Sequence, residues 1–565
     1  MRTMSSMKIM ITGATGFIGS ALVRQILADM SDTELILLCR SEIKLEKEIK
    51  DHHSVKVIEL DLNFEVPSGL GVEPDLIIHL SATVDYFGDS AVRITNSSQT
   101  KNIMAYSKTL LKKPIFIFAS TLGAVDRTPW DKLETRLTLD SPQNPTSEYG
   151  KGKLEDENIV LNSGLDHILI LRLPWVIGPG MRGHHVKQLV SLAMKNKPIS
   201  RVNWPGHVGL IAVDELSKKI ITLMRSELDT ERFVDLSSIT YSISIGDIFG
   251  RALQLTGHKY FQIRIPILLQ KIVYTFRGLL PFRIRALLFD VLLGETQSCG
   301  FSAEIELALE QVVRDIHREY MDTDVDVFIT GCSSGLGWQL ARLAYTLGYN
   351  VFGVDLVRPP KEHYFKSFVA AELTLEANLD TLVECWSSES KAQETILVNN
   401  AGISTRDGEL LANHNTDYVK RMIQINFEAP IAIYTRLITK MKLTRVINIS
   451  SSSALMPIMD FSIYGATKTA LHYWTLGSTG ISDTKFHSIL PSGMKTALYT
   501  QTTRSGNIKG ALNPETVARK IYKYVGREKT VIFIGRKTWI TFFMSKFFPQ
   551  KINIYIFKLL SKRFK

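Results

Sequence analysis

A chain of 565 residues has room for about two to four domains, and 45% hydrophobic against 22% charged residues excludes disorder on a large scale. Four cysteines (Cys39, Cys299, Cys332, Cys385), neither closely paired nor at metal-ligand spacing, argue against a disulfide scaffold or metal site and for a reducing compartment, the cytosol. The net charge of +11 gathers at the C-terminus instead of along helices with interleaved aromatics, which argues against a nucleic-acid partner.

In chain order, the first stretch alternates strand and helix as a doubly wound sheet requires. Short apolar runs bounded by polar residues predict strands at Lys8–Ile11, Glu34–Cys39, Val55–Leu60, Leu76–Leu80 and Ile115–Ala119, with a helix over Ala21–Met30. No apolar run long enough for a signal peptide precedes the first strand. After that strand comes T-G-A-T-G-F-I-G (Thr12–Gly19), whose glycines let backbone N–H groups approach a pyrophosphate at a helix N-terminus. The cofactor contacts expected there are Gly13, Thr15, Gly16, Phe17, Ile18 and Gly19. At the end of the second strand, Arg40 offers a charge-assisted partner for a 2′-phosphate and points to NADPH.

Beyond Leu173-Pro174 the alternation loosens, with a strand predicted at Val234–Leu236 and an amphipathic helix at Ile245–Leu255. Ile265–Leu293 is strongly apolar, but Lys271, Arg277, Arg283 and Arg285, with Pro281 interrupting, argue against a spanning helix. Helices lining an acyl cleft, helices touching a bilayer, and core helices of a small substrate subdomain all stay open. Phe301–Tyr320 reads as a charged amphipathic connector.

A second cradle follows in V-D-V-F-I-T-G-C-S-S-G-L-G (Val325–Gly337), with Gly331, Ser333, Gly335, Leu336 and Gly337 expected at the phosphates and a helix over Trp338–Leu347. Strands are predicted near Val327–Ile329, Val351–Val354, Thr395–Val398 and Arg445–Ile449. The expected fold is α/β, two tandem Rossmann-like doubly wound parallel sheets, the first with a small α/β substrate subdomain. Residues 1–322 form the first module (nucleotide-binding core about 7–180, substrate subdomain about 181–300, connector 301–322), 323–530 the second, and 531–565 a tail. From Thr530 to Lys565 there are eight Lys or Arg and no acid, interleaved with aromatics such as Trp539, Phe543 and Phe547. That pattern fits an anchor on a membrane surface, or an apolar face completing the second core.

The chemistry sits in Tyr149 and Lys153, preceded by Ser120 and Thr121 at the end of the fifth strand. On a helix i and i+4 share a face, so the Lys153 ammonium can lower the phenol's pKa and reach a cofactor ribose. A strand-end hydroxyl would polarise a carbonyl while Tyr149 moves the proton. Tyr464 and Lys468 repeat the pair, and Thr330 lies 134 residues before Tyr464 where Thr12 lies 137 before Tyr149. Asp355, ending its strand, favours a ribose diol and so NAD(H), although Arg358 would let NADP(H) bind.

With these residues in order, roughly 7–260 resembles the extended short-chain dehydrogenase/reductases and 325–530 their classical branch. The first resemblance rests on Thr12–Gly19, Asp61-Leu62, H-L-S-A-T (His79–Thr83), F-A-S-T (Phe118–Thr121), Tyr149/Lys153, Leu171–Gly180 and Val213–Glu215. It implies Asp61, with Leu62, near the adenine and Thr121 or Ser120 orienting the carbonyl. The second rests on N-N-A-G (Asn399–Gly402), I-N-F (Ile425–Phe427) and I-N-I-S-S (Ile447–Ser451). It implies Tyr464 as acid/base, Lys468 tuning it, Ser451 orienting the carbonyl and Asn426 holding a relay water, with Asn400, Ala401, Gly402 and Thr496 at the cofactor. Ala454 in place of a glycine, Glu372 in place of an adenine-side Asp, and a short catalytic helix depart from the pattern and leave assembly into homo-oligomers open.

The layout resembles two-domain bacterial fatty acyl-CoA reductases. It implies reduction of an acyl thioester, fatty acyl-CoA or held by an acyl carrier protein, to aldehyde and then alcohol, with NADPH in the first module and NAD(H) or NADP(H) in the second. A dual ketoreductase/hydroxy dehydrogenase on polyketide, lipid or sterol-like substrates, nucleotide-sugar epimerase chemistry and a non-catalytic NADP(H) sensor are the alternatives. The expected location is cytoplasmic, with the inner face of a membrane open to the tail.

Overall fold

The computed structural model describes residues 7–67, 69–83, 90–125, 134–137, 141–145, 147–181, 185–226, 232–235, 241–258, 261–276, 279, 287–288, 290–293, 300–405, 407, 416–456, 461–500, 511–526 and 529–547. The chain divides into two compact units, Met1–Ile316 and His317–Lys565.

In the first unit a parallel sheet of seven strands contains β1 (Lys8–Thr12), β2 (Glu34–Cys39), β3 (Val55–Glu59), β4 (Leu76–His79), β5 (Ile115–Thr121), β6 (Ile168–Leu173) and β7 (Arg232–Asp235). Their order is β7-β6-β5-β4-β1-β2-β3. The chain winds outward from β1 in one direction and then from β4 in the other, so the crevice between the carboxyl ends of β1 and β4 is the switch point where such sheets bind ligands. Side chains of β1, β2 and β4 are buried on both faces, which is why the runs read as continuous rather than alternating.

The second unit repeats the plan with β8 (Val325–Thr330), β9 (Asn350–Asp355), β10 (Ser367–Ala370), β11 (Glu394–Asn399), β12 (Arg445–Ile449), β13 (Lys485–Pro491) and β14 (Val531–Ile534), ordered β10-β9-β8-β11-β12-β13-β14. Trp386, Phe328 and Phe352 fill one side of this sheet, with ring centroids about 5 Å apart.

Helices begin earlier than their apolar patterns suggest. Helix α1 (Phe17–Asp29) and α5 (Gly335–Thr346) start at the glycine turns themselves, because Gly19 and Gly337 lie inside the first turn. Helix α4 (Ala303–Glu319), read as a connector, is a core element of the first unit instead: Ile305, Leu309, Val312 and Ile316 recur on one face and are buried with Phe249 and Leu253. The tail boundary drawn at residue 531 also needs correction. Val531–Ile534 pairs in parallel with Ser488–Pro491 as the sheet's edge strand, and Ile532 and Ile534 are buried in the second core. Most of the apolar Val531–Ile534 run therefore serves the sheet. Residues 548–565 of the expected tail lie outside the described residues.

Candidate active sites

In the first unit, Gly13 has φ +75°, and a Cβ there would sit 2.8 Å from the Ser81 nitrogen, so only glycine lets β1 turn this close to the end of β4. A Cβ on Gly19 would collide with the Gly13 carbonyl. The N-terminus of α1 has no side-chain cap and no acid in its first turn, which leaves its amides and dipole for an anion. Behind the cradle, Thr12 Oγ1 and His79 Nδ1 are 2.7 Å apart, and burial and Lys153 push His79 down to about 3, so the ring is neutral. Arg40 is exposed at the end of β2, and Asp61 Oδ1 caps the next turn by accepting from the Asn63 amide at 3.0 Å. Leu62 is buried. Thr15, Phe17 and Ile18 line the turn and the start of α1, with Phe17 packed against the core.

At the end of β5 the two hydroxyls separate. Ser120 is buried and donates to Glu157, whose carboxylate also takes a two-point ion pair from Arg172 at 3.0 and 2.7 Å. Thr121 is half-buried, and its Oγ1 accepts from the Gly123 amide at 3.2 Å, which leaves its own proton available. Helix α3 (Glu148–Leu161) lies against this turn: a Cβ on Gly150 would strike the Gly123 carbonyl, so the helix carrying Tyr149 meets the turn carrying Thr121 backbone to backbone. Lys153 donates to the Ala119 carbonyl at 2.9 Å and stands over the Phe118 ring; burial pulls its pKa down to about 8.

The second unit reproduces these contacts. Lys468 on helix α6 (Ser462–Gly477) donates to the Ile449 carbonyl at 2.9 Å, and burial holds it at about 8. Ser450 is buried and donates to the Lys468 carbonyl at 2.8 Å, while half-buried Ser451 accepts from the Ser453 amide at 3.2 Å. The strand pleat explains the first pair, since consecutive residues of β5 point to opposite faces, and the second unit repeats the split just beyond β12, with the first hydroxyl buried and the second half-buried. Asn426 sits in a π-helical turn, Gln424–Glu428, fixed by two 2.9 Å bonds to the Ile403 backbone and one of 3.1 Å to Thr467. A Cβ on Gly402 would come 3.2 Å from Asn426 Oδ1 and 3.3 Å from Lys468 Nζ, so these two side chains converge above that glycine.

At the second cradle Gly331 (φ +67°) packs on Ala401, and Asn400 Nδ2 bonds the carbonyls of Thr330 and Gly331 at 3.1 and 2.8 Å. A Cβ on Gly335 would lie 3.2 Å from Thr496 Cγ2, which places the Pro491–Thr496 loop over the glycine turn. Leu336 is buried in the core, and a Cβ on Gly337 would strike the Gly331 carbonyl. Asp355 accepts from the Ser333 amide at 2.8 Å and the Leu356 amide at 2.7 Å. Arg358 is exposed and pairs with Glu362 at 2.7 Å, and Glu372 pairs with Arg421 at 2.6 Å. Cradles that only glycine fits, with uncapped helix starts behind them, fit a dinucleotide in both units.

Residues 9–207 match the family model described as NAD dependent epimerase/dehydratase family, and residues 326–505 match that of short chain dehydrogenase. The short chain dehydrogenase ausX of Emericella nidulans is 32% identical over 186 residues, 32% of this chain and 91% of that protein. The chain belongs to the short-chain dehydrogenase/reductase superfamily. Short chain dehydrogenase adrF of Penicillium roqueforti is 27% identical over 34% of this chain and 77% of its own length. D-erythronate dehydrogenase of Haemophilus influenzae is 28% identical over 34% and 61%. A solved short-chain dehydrogenase from Sphingobium yanoikuyae in complex with NADPH shares 21% identity, covers 37% of this chain and 86% of that chain, and has a TM-score of 0.33. UDP-glucuronic acid 4-epimerase from Bacillus cereus in complex with NAD shares 19% over 54% and 98%, with a TM-score of 0.42. These two likenesses concern the fold alone. The enzyme is an NAD(P)-dependent oxidoreductase with an epimerase-type module and a classical module.

In the second module burial pushes the Tyr464 phenol up, with the Ser451 hydroxyl pulling it back, and the Lys468 ammonium is 6.0 Å from the ring centroid. The phenol is thus held protonated, the form a reductase needs at the start of its cycle. Sequence reasoning also missed the Glu157–Arg172 pair and its neighbour Asp156. The signals were available: Glu157 stands four residues after Lys153, and Arg172 interrupts the apolar run of β6. The V-D-Y-F that continues H-L-S-A-T (His79–Thr83), residues 84–87, lies outside the described residues.

Proposed function

We propose that the enzyme reduces an acyl thioester, fatty acyl-CoA or carrier-bound, through the aldehyde to the alcohol, using NADPH in the first module and NAD(H) or NADP(H) in the second. The observation that supports this most is the presence of two complete catalytic sets in one chain, with exposed Arg40 ending the second strand of one and Asp355 that of the other. A nicotinamide bound at each cradle supplies the hydride. In the first site Thr121 orients the carbonyl oxygen, Tyr149 gives it a proton and Lys153 holds positive charge beside them; the hemithioacetal so formed breaks its C–S bond, its hydroxyl proton going to the departing thiol, and leaves the aldehyde. In the second, Ser451 and Tyr464 do the same for the aldehyde, and Lys468 with Asn426 returns a proton to Tyr464. Helix Arg536–Phe547 of the second unit, with Trp539, Ile540, Phe543 and Phe547 exposed, supports delivery of long-chain substrate from a membrane surface.

The names of the relatives favour a second reading, a dual ketoreductase/hydroxy dehydrogenase, since the curated proteins compared above are all called dehydrogenases. Following cofactor absorbance and free thiol together separates the two. With acyl-CoA, wild type should oxidise two reduced cofactors per thiol released, Tyr464→Phe one per thiol with aldehyde accumulating, and Tyr149→Phe should release none. Oxidation of NADPH with ketones and no thiol from any acyl-CoA would overturn the thioester reading and leave the second.

A further inference from the structure

The helix Ile267–Thr275 in the first unit turns its apolar residues the wrong way for a soluble surface. It touches the body of the unit through Val273 and Tyr274, which with Ile265 and Trp204 cover Leu288. Ile267, Leu268 and Ile272 are 71, 72 and 49% exposed, Phe276 just beyond is 59% exposed, and no residue of the helix is buried. Positions 267, 268, 271, 272, 275 and 276 share one face at helical spacing, so a contiguous apolar surface points outward with Lys271 at its centre. The short strand Ile263–Arg264 leads into the helix, and both of its residues are exposed. Contiguous exposure on this scale marks an interaction surface.

Charge decides what covers it. From Lys259 to Phe289 the sequence holds six Lys or Arg and no Asp or Glu. Arg264 and Lys271 are both exposed, and neither pairs with a described acid. A second copy of the chain would meet this patch through a two-fold axis, setting like charge against like charge over the same apolar residues. An anionic bilayer offers both halves of the match: acyl chains for Ile267, Leu268, Ile272 and Phe276, and headgroup phosphates for Arg264 and Lys271. We propose that the first unit docks on anionic phospholipid membranes through the outward face of Ile267–Phe276, with Arg264 and Lys271 at the headgroups. This surface is separate from the aromatic helix of the second unit, and it does not depend on which carbonyl the enzyme reduces.

Co-sedimentation of the full chain with vesicles of phosphatidylcholine alone, or with about one-third phosphatidylserine, tests the proposal. Wild type should bind the anionic vesicles at least about tenfold more tightly than the neutral ones, with binding falling as salt rises. Ile267→Glu/Leu268→Glu should weaken that binding about tenfold or more, while NADPH affinity, read by fluorescence titration, stays that of wild type and reports an intact fold. Trp539→Glu/Phe543→Glu, made in parallel, gauges the second unit's share. Equal binding by wild type and the Ile267/Leu268 variant would overturn the proposal. So would no binding to anionic vesicles, or a variant that changes only the oligomeric state or the capture of an acidic protein.

Discussion

Ser120 and Thr121 carry the same functional group one residue apart, and their surroundings assign them different work. Thr121→Ala should lower turnover in the first module about 100-fold, as loss of one carbonyl-orienting donor does. Ser120→Ala should leave turnover within a few-fold and cost about 1–3 kcal/mol, because Glu157 stays buried with one donor fewer. Turnover numbers and urea midpoints of the two variants would rank in the opposite order if the roles were exchanged. Three residues further along α3 from Lys153, Asp156 is buried, with the Thr100 and Ser97 hydroxyls beside its carboxylate. Burial raises it to about 6 against the pull of Lys153, and Asp156 in turn raises Lys153, which burial has lowered to about 8. Between those values the pair is charged on both sides. Above about pH 8 Lys153 loses its proton, so reduction in the first module should fade there. Asp156→Asn removes a charge that supports the ammonium, and the alkaline limb should move to lower pH by about one unit. A pH profile in a Tyr464→Phe background measures this, and an unmoved limb would remove Asp156 from the site. Stability carries the matching sign: the unfolded chain binds the Lys153 proton more tightly, so this lysine favours the fold increasingly as pH rises from about 8 towards 10.5.

Among elements, β14 and α4 show how burial overrides composition. Val531–Ile534 heads a stretch without acids and rich in aromatics, yet it is the edge strand that closes the second sheet. A chain stopped after residue 530 loses Ile532 and Ile534, each worth about 1.5–3 kcal/mol of buried surface, along with a row of strand hydrogen bonds. Its second module should unfold at markedly lower urea. A chain stopped after residue 547, which keeps β14, should unfold at higher urea than that one. Equal midpoints for the two truncations would return β14 to the tail. Helix α4 is charged along one side, which reads as a linker, but its opposite stripe belongs to the first core, so its length alone says little about where the units part.

At the scale of the whole molecule, the two sheets share one strand order, and each has its own glycine cradle and its own lysine bonded to a strand carbonyl. Calorimetric titration should therefore find two cofactor sites per chain. Gly19→Ala and Gly337→Ala should each remove one, since the added Cβ meets a backbone carbonyl that cannot yield. If either variant lost both sites, the modules would not be independent binding units. The Arg40 and Asp355 difference further predicts that the site surviving in Gly337→Ala prefers NADPH, and that in Gly19→Ala the ribose diol of NAD(H) is favoured.

The sequence by itself determined the repeated α/β plan, ten of the fourteen sheet strands to within a residue or two (β6, β10, β13 and β14 were not read), the cradles, and the Tyr-Lys pairs. These are written locally: apolar runs of strand length, glycines where the chain turns, and side chains four apart on a helix. Only the tertiary structure decided which hydroxyl at each strand end is buried and which half-buried, that burial raises the Tyr464 phenol, and that Glu157 and Arg172 meet beneath Ser120. It also turned Ile267–Thr275 outward and folded Val531–Ile534 inward, two apolar segments that composition treats alike. The reason is common to all of them: burial, and the pairing of charges within it, depend on neighbours far away in the chain, whose arrival no local pattern records.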